Sequence, residues 1–187
     1  MRHDPQMAQL PPERIAIDGA LLRRERLGDE VLIAPTVRAN LEHLRPWMPW
    51  ATAANASRAA QRRRLEQCER AWKDDGDYTF LLLDPEEVTL LGIVGLHRRI
   101  GPGAIELGYW LSRDAVGKGL ATAAARALTT AALNLPDVDR VEIHCAEANS
   151  RSRKIPERLG YRLDRIEEDG VQAPGEVGRA MIWIYPA

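Results

Sequence analysis

Polar and apolar positions alternate most clearly in the middle of the chain. The stretches "DYTFLLLD" (77–84), "VTLLGIVGLHRRI" (88–100) and "AIELGYWLS" (104–112) carry a period close to two, which predicts three antiparallel strands. Pro85-Glu86-Glu87 and Gly101-Pro102-Gly103 supply the turns between them. "RIAIDGALLRRER" (14–26) predicts a hairpin turning at Asp18-Gly19. A further strand is predicted in "DRVEIHCAEA" (139–148), where Val141, Ile143 and Cys145 face one way, and two last strands over 161–168 and 177–185. Helical spacing appears over 29–45, with Val37, Leu41 and Leu44 on one face and an interruption or restart at Pro35. It appears again over 56–74 (Leu65, Cys68, Trp72), over 117–134 up to Pro136, and over 150–160, where Gly160 is the left-handed stop. The order predicts a mixed α/β (α+β) fold: a mostly antiparallel sheet with about four helices packed on it. Residues 1–12 are expected to form a loose tail and 13–187 one domain.

Composition narrows the partners. Of 187 residues 45% are apolar, enough for a core, and 26 Lys plus Arg balance 27 Asp plus Glu. Such a balance gives no reason to expect nucleic acid or an anionic membrane as the main partner. The basic run Gln61-Arg62-Arg63-Arg64 reads as a solvated helix face. The longest apolar run, Leu90–Leu96, is far too short to cross a bilayer, and "MRHDPQMAQLPPER" has no signal-peptide core, so a cytoplasmic protein is expected. Cys68 and Cys145 lack CxxC spacing; neither a disulfide framework nor a metal site is expected, and Cys145 reads as a buried thiol.

The stretch "SRDAVGKGLATAAARALTTAAL" (112–133) sets Gly117 and Gly119 at the mouth of an alanine-rich helix. Each glycine costs roughly 0.5–1 kcal/mol in backbone entropy, so bare backbone is needed there. A Gly-x-Gly turn between a strand and a helix can curl its N–H groups into an anion cup at the positive end of the helix dipole. The alternative is a tight turn and nothing more. A P-loop is excluded because GxxxxGK[ST] is missing. A Rossmann fingerprint fails at its third glycine, which is Thr122; Asp139 stands about where a ribose-binding acid would, but the loop follows an antiparallel meander.

Four stretches carry a resemblance: "LRPWMPWA" (44–51), "ELGYWLSRDAVGKGLAT" (106–122), "HCAEANSRSRKIPERLGY" (144–161) and the closing "AMIWIYPA". Together they resemble the GNAT N-acetyltransferases, in particular the RimJ/RimL-type branch. The family's [QR]-x-x-G-x-[GA] loop fits at Val116, Gly117, Lys118 and Gly119 but has Asp114 in its first slot. The resemblance implies the GNAT fold and acetyl-CoA, or another acyl-CoA, as co-substrate. It implies a pyrophosphate held by the N–H groups of Gly117, Lys118, Gly119, Leu120, Ala121 and Thr122. Pantetheine would pair with the strand ending at Leu111 and Ser112, in a gap beside 139–148, with Lys118, Arg151 and Arg153 near the phosphates. Many family members place a tyrosine in the helix that follows; here that slot is Pro156. The RimJ/RimL branch uses a serine, which implies Ser152 near the sulfur and Asn149 as a cofactor contact; capping of the helix is a role both could also fill. Pro156 also frees a helical carbonyl near Ser152.

Acyl transfer to an amine needs a neutral amine, a stabilised oxyanion and a proton for the leaving thiolate. An α-amino group is about one-tenth neutral at pH 7, a lysine amine about one part in 2,500, so an N-terminal acceptor asks less of a base. Glu106, on the strand before the loop and opposite in face to Leu107, Tyr109 and Leu111, is the first candidate base, on the expectation of a raised pKa. Glu142 and His144 alternate on the neighbouring strand and could assist; His97 reads as an ordinary histidine, and Glu167 and Glu168 rank below. Trp47 and Trp50, stiffened by Pro46 and Pro49, suit an acceptor wall and equally suit plain core. The expected partner is an amine, on a protein N-terminus or a small molecule, with a homodimer left open. Transfer of a larger acyl group such as succinyl, or an acyl-CoA sensor without catalysis, are the alternatives.

Overall fold

The alternating stretches become strands in the computed structural model, which describes residues 10–186; residues 1–9 of the expected tail lie outside them. The order is β1 (Arg14–Ile17), β2 (Ala20–Arg24), α1 (Glu30–Ala39), α2 (Leu41–Leu44), α3 (Arg58–Lys73), β3 (Asp77–Leu83), β4 (Leu90–His97) and β5 (Gly103–Leu111). A 3-10 turn (Arg113–Ala115) leads to α4 (Leu120–Leu133), β6 (Val138–Ala146), α5 (Ser150–Leu159), β7 (Arg162–Glu168) and β8 (Arg179–Pro186). One sheet of eight strands runs β1-β2-β3-β4-β5-β6-β8-β7.

Every neighbouring pair is antiparallel but one. β5 and β6 are parallel, and their rungs stop at Glu106 opposite Glu142. Beyond that rung β5 continues five residues, to Leu111, and β6 four, to Ala146, without pairing each other. A slit therefore opens between their C-terminal ends, with unpaired backbone groups along its edges.

The two faces of the sheet bury different helices. On one face Ile105, Leu107, Val141 and Ile143 pack with Leu120, Ala124, Ala125 and Leu128 of α4. Alanine is the best helix former and the smallest side chain after glycine, so α4 both forms readily and lies close to the strands. On the other face Leu81, Ile93 and Trp110 pack with Ile33 and Val37 of α1 and Leu65 of α3.

The break expected at Pro35 is not there. α1 runs through Pro35 and ends at Asn40. The carbonyl that Pro35 leaves without a helical donor belongs to Val31, which is exposed and open to water. Asn40 ends the helix because its side chain is engaged elsewhere. Its Oδ1 accepts from the Arg113 N–H at 2.8 Å and its amide donates to the Thr36 carbonyl at 2.9 Å. The basic run departs from expectation at its two ends, while Arg62 and Arg63 are exposed as expected. Gln61 is buried, and Arg64 makes two hydrogen bonds, of 2.7 and 2.8 Å, to the buried carboxylate of Glu25.

Candidate active site

Gly117 and Gly119 have φ of +84° and +77°, a region L-residues with a side chain avoid. A Cβ at either would meet nothing within 4 Å, so the bare backbone faces open space. Gly119 is also the N-cap of α4, with no side chain bonded to the helix end. The first N–H to find a helical partner is that of Ala123, bonded to the Gly119 carbonyl at 3.0 Å. The N–H groups of Leu120, Ala121 and Thr122 belong to the first turn, where the helix itself supplies no acceptor. The residues thus fit an anionic group such as a diphosphate. Lys118 is exposed beside them. Ser112 turns its hydroxyl to the Leu90 carbonyl at 3.0 Å, and Leu111 is registered on Gly92 of β4.

Where the slit opens, Tyr109 meets Ser152. The phenol donates to the Ser152 carbonyl at 3.2 Å and lies 3.1 Å from the Ser152 hydroxyl. That carbonyl is available because residue 156 is proline and has no N–H to give the turn four residues back. Burial pushes the Tyr109 phenol up, and its bond to Ser152 only partly offsets this, so the group stays protonated. Asn149 caps α5, accepting from the Ser152 N–H at 3.1 Å, which leaves its amide hydrogens unused by the cap. Arg153 turns to Glu157 at 3.2 Å. Cys145 is buried, and burial pushes its thiol up to about 11 despite Trp183 and Ser152 nearby, so it is a poor nucleophile.

A cleft of about 640 Å³ joins this point to the face that carries α1 and α3. Trp47 and Trp50 line it, and Trp50 also packs against Trp110 with ring centroids 6.0 Å apart. The loop before β8 closes the other side. The Gly175 N–H donates to the Pro46 carbonyl at 2.8 Å, and a Cβ at Gly175 would lie 2.6 Å from that oxygen and 3.1 Å from the Trp47 ring.

A row of charge crosses the floor. Asp77 registers on His97, His97 on Glu106, and Glu106 on Glu142, so four strands send these side chains to one face. Asp77 Oδ2 lies 2.8 Å from His97 Nδ1. Arg99 grips Glu106 with two bonds of 2.7 Å. Glu142 accepts from Arg140 and pairs with His144 Nε2, each at 2.7 Å.

Residues 20–162 match the model of the acetyltransferase (GNAT) domain. The chain belongs to the GNAT acetyltransferases. It is 30% identical over 150 residues to YdaF of Bacillus subtilis (strain 168), whose name assigns it provisionally to the ribosomal N-acetyltransferases; the match covers 79% of this chain and 80% of YdaF. It is 23% identical to the ribosomal protein uS5-alanine N-acetyltransferase of Escherichia coli (strain K12), over 90% of this chain and 88% of that one. Its fold matches RimL, a ribosomal L7/L12 α-N-protein acetyltransferase in complex with coenzyme A, with a TM-score of 0.84 at 19% identity, over 93% and 98% of the two chains.

For a GNAT enzyme the structure revises the expected base. Burial alone raises the Glu106 carboxyl, but the Arg99 bonds and charge, with His144 and His97 nearby, outweigh it and hold the group below the usual carboxylate value. The raised pKa expected of Glu106 is not found, and the reason is a partner seven residues earlier: Arg99, in the turn after β4. Glu142 follows the same pattern, raised by burial and lowered further by His144 and Arg140. Glu167 and Glu168 are exposed on β7 and do not line this acetyltransferase's cleft. Tyr109, Arg99 and Asp77 escaped the sequence reading. Tyr109 looks like one more core position of β5, and only the proline at 156, by freeing a carbonyl, hinted that something must reach it.

Proposed function

We propose that this acetyltransferase moves the acetyl group of acetyl-CoA to the α-amino group of a protein N-terminus. One observation carries the reading: β5 and β6 part after the Glu106–Glu142 rung, and the slit lies between an anion cup on one face and an acceptor-sized cleft on the other. In this reading the backbone from Gly117 to Thr122 grips the diphosphate, and the unpaired edge beyond Glu106 receives the pantetheine amides. The thioester then lies beside Ser152. Ser152 protonates the departing thiolate, and Tyr109 replenishes Ser152, the two hydroxyls being 3.1 Å apart. Asn149 contributes its free amide hydrogens to the cofactor. Glu106, held ionised, attracts the acceptor ammonium to the floor of the cleft; Trp47 and Trp50 flank the approach. The α-amino acceptor is favoured by its larger neutral fraction and by the named activities of the uS5 and L7/L12 enzymes.

The test is a peptide assay. Peptides bearing ribosomal-protein N-termini are incubated with acetyl-CoA, and free thiol and intact mass are followed. Acetylation is expected on the α-amino group and lost when that group is formylated beforehand. Modification of lysine side chains alone, or of free small amines alone, overturns the acceptor assignment.

A further inference from the structure

We propose that His97, oriented by Asp77, is the general base that deprotonates the acceptor amine. The proposal rests on the acyl-transfer reading above. Three observations carry it.

The first is the hydrogen bond between His97 Nδ1 and Asp77 Oδ2, at 2.8 Å. Asp77 is itself fixed, since its Oδ1 accepts the Arg98 backbone N–H at 3.1 Å. An ionised carboxylate on Nδ1 takes the N–H there and leaves the lone pair on Nε2. Asp77 is ionised: the bond from His97 holds its carboxyl below the usual value, against the opposing effect of burial.

The second is where Nε2 goes. The ring leans back along β4 over Gly95, where an added Cβ would lie 2.7 Å from Nε2 and 3.0 Å from Cε1. Gly95 registers on Gly108, whose own Cβ would lie 3.8 Å from the same nitrogen. Two glycines on adjacent strands thus leave a hollow that the imidazole fills. Gly108 is two residues past the last β5–β6 rung, so the hollow lies at the level where the slit has opened, and Gly95, His97 and Gly108 all line the cleft.

The third is elimination among its neighbours. Glu106, on β5, is bonded by Arg99 and held below the usual carboxylate value, which makes it a weak base. His144, on β6, also lines the cleft but is bonded through its far nitrogen Nε2 to Glu142, which leaves only Nδ1, the ring nitrogen nearer the main chain, to act. From α3, Arg64 lines the same cleft but is committed to Glu25. His97 has the opposite arrangement to His144: its near nitrogen is held and its far nitrogen faces the cleft.

The proton inventory closes. Nε2 takes one proton from the acceptor ammonium and becomes imidazolium beside Asp77. The freed nitrogen lone pair attacks the thioester carbonyl; the N–C bond forms and the C–S bond breaks. The nitrogen gives up its second proton to solvent in that step, and the thiolate gains one from Ser152, which Tyr109 and then solvent restore. The imidazolium then returns its proton to solvent.

The experiment uses the full chain, acetyl-CoA and the peptide acceptor of the preceding section. A positioned base contributes about 10²–10⁴-fold. His97→Gln is therefore expected to lower kcat at least about 100-fold while acetyl-CoA affinity by calorimetry is unchanged. Asp77→Asn keeps an acceptor for Nδ1 but removes the charge that favours imidazolium, so the acidic limb of the kcat/KM profile moves to lower pH. A residue of purely structural importance would not move that limb. Gly95→Ala puts a methyl group where the ring lies and is expected to reproduce the loss in a folded protein with normal acetyl-CoA binding. If the wild type transfers acetyl and His97→Gln keeps its rate within a few-fold with the limb in place, the base is wrong and the acyl-transfer reading stands. If the loss and the limb shift follow His144→Gln instead, His97 is not the base. If the wild type releases no thiol with any acceptor, both fall together.

Discussion

Replacing Tyr109 by phenylalanine removes one hydroxyl and strands two groups. The Ser152 carbonyl loses the phenol that donates to it, Pro156 has no N–H to take its place, and the Ser152 hydroxyl loses a partner at 3.1 Å. An unsatisfied buried polar group costs about 1–3 kcal/mol; Ser152 is half-buried, which favours the lower part, so about 1–2 kcal/mol is expected. At this chain length that corresponds to a fall in Tm of roughly 2–8 °C. Pro156→Ala tests the cause. It restores an N–H four residues after Ser152, and the carbonyl then has a helical donor whether or not Tyr109 carries its hydroxyl. In that background Tyr109→Phe should cost about 1 kcal/mol less than in the wild type, since only the hydroxyl of Ser152 is left unpaired. Urea unfolding of the four proteins, followed by the fluorescence of the five tryptophans, gives the coupling directly. Additivity within about 0.3 kcal/mol, with Tyr109→Phe itself destabilising, refutes the claim that the proline exists in partnership with the phenol.

Two further outcomes are expected. Gly119→Ala places a side chain at φ +77°, which costs about 1–2 kcal/mol of stability in urea, and the resulting shift of the first turn of α4 weakens acetyl-CoA binding at least about tenfold, or roughly 1.4 kcal/mol, by calorimetry. Glu142 has a folded pKa below its free value of 4.5, so its contribution is complete above that pH and is lost as pH falls through the folded value. Glu142→Gln should lower stability at pH 7 by about 2 kcal/mol, as expected for a hydrogen bond to a charged group, and flatten the acid side of the stability profile; an unchanged acid slope argues against the ion pairs with Arg140 and His144.

Much of this was legible in the residues because period and punctuation are local properties. The alternation in β3 to β5, the alanine run of α4 and the left-handed glycines at 117, 119 and 160 all follow from short-range sterics. The charged row across the floor was not legible, and the reason is specific. Leu83 pairs with Leu90, but Leu82 pairs with Gly92: a bulge adds one residue to β4. Counting outward from the turn sets Asp77 opposite Leu96, which sends His97 to the other face. The bulge corrects the register by one and brings Asp77 and His97 together. The Glu25–Arg64 pair was invisible for a different reason, since it joins segments 39 residues apart; Arg99 and Glu106 are only seven apart, and their meeting depends on how the β4–β5 turn aims Arg99. Candidate residues of the cup and of the Ser152 turn came from resemblance and contiguous motifs; Tyr109, Asp77 and Arg99 required the third dimension.

The contact of Gly175 with Pro46 and Trp47 has a bearing on how the enzyme comes into being on the ribosome. The proposed diphosphate cup is built from the backbone of residues 117–122 at the start of α4. The acceptor wall is finished only when a segment near residue 175 docks onto one near residue 46. A chain still being synthesised therefore carries the residues of the proposed cup before the glycine that completes the proposed acceptor wall has been added.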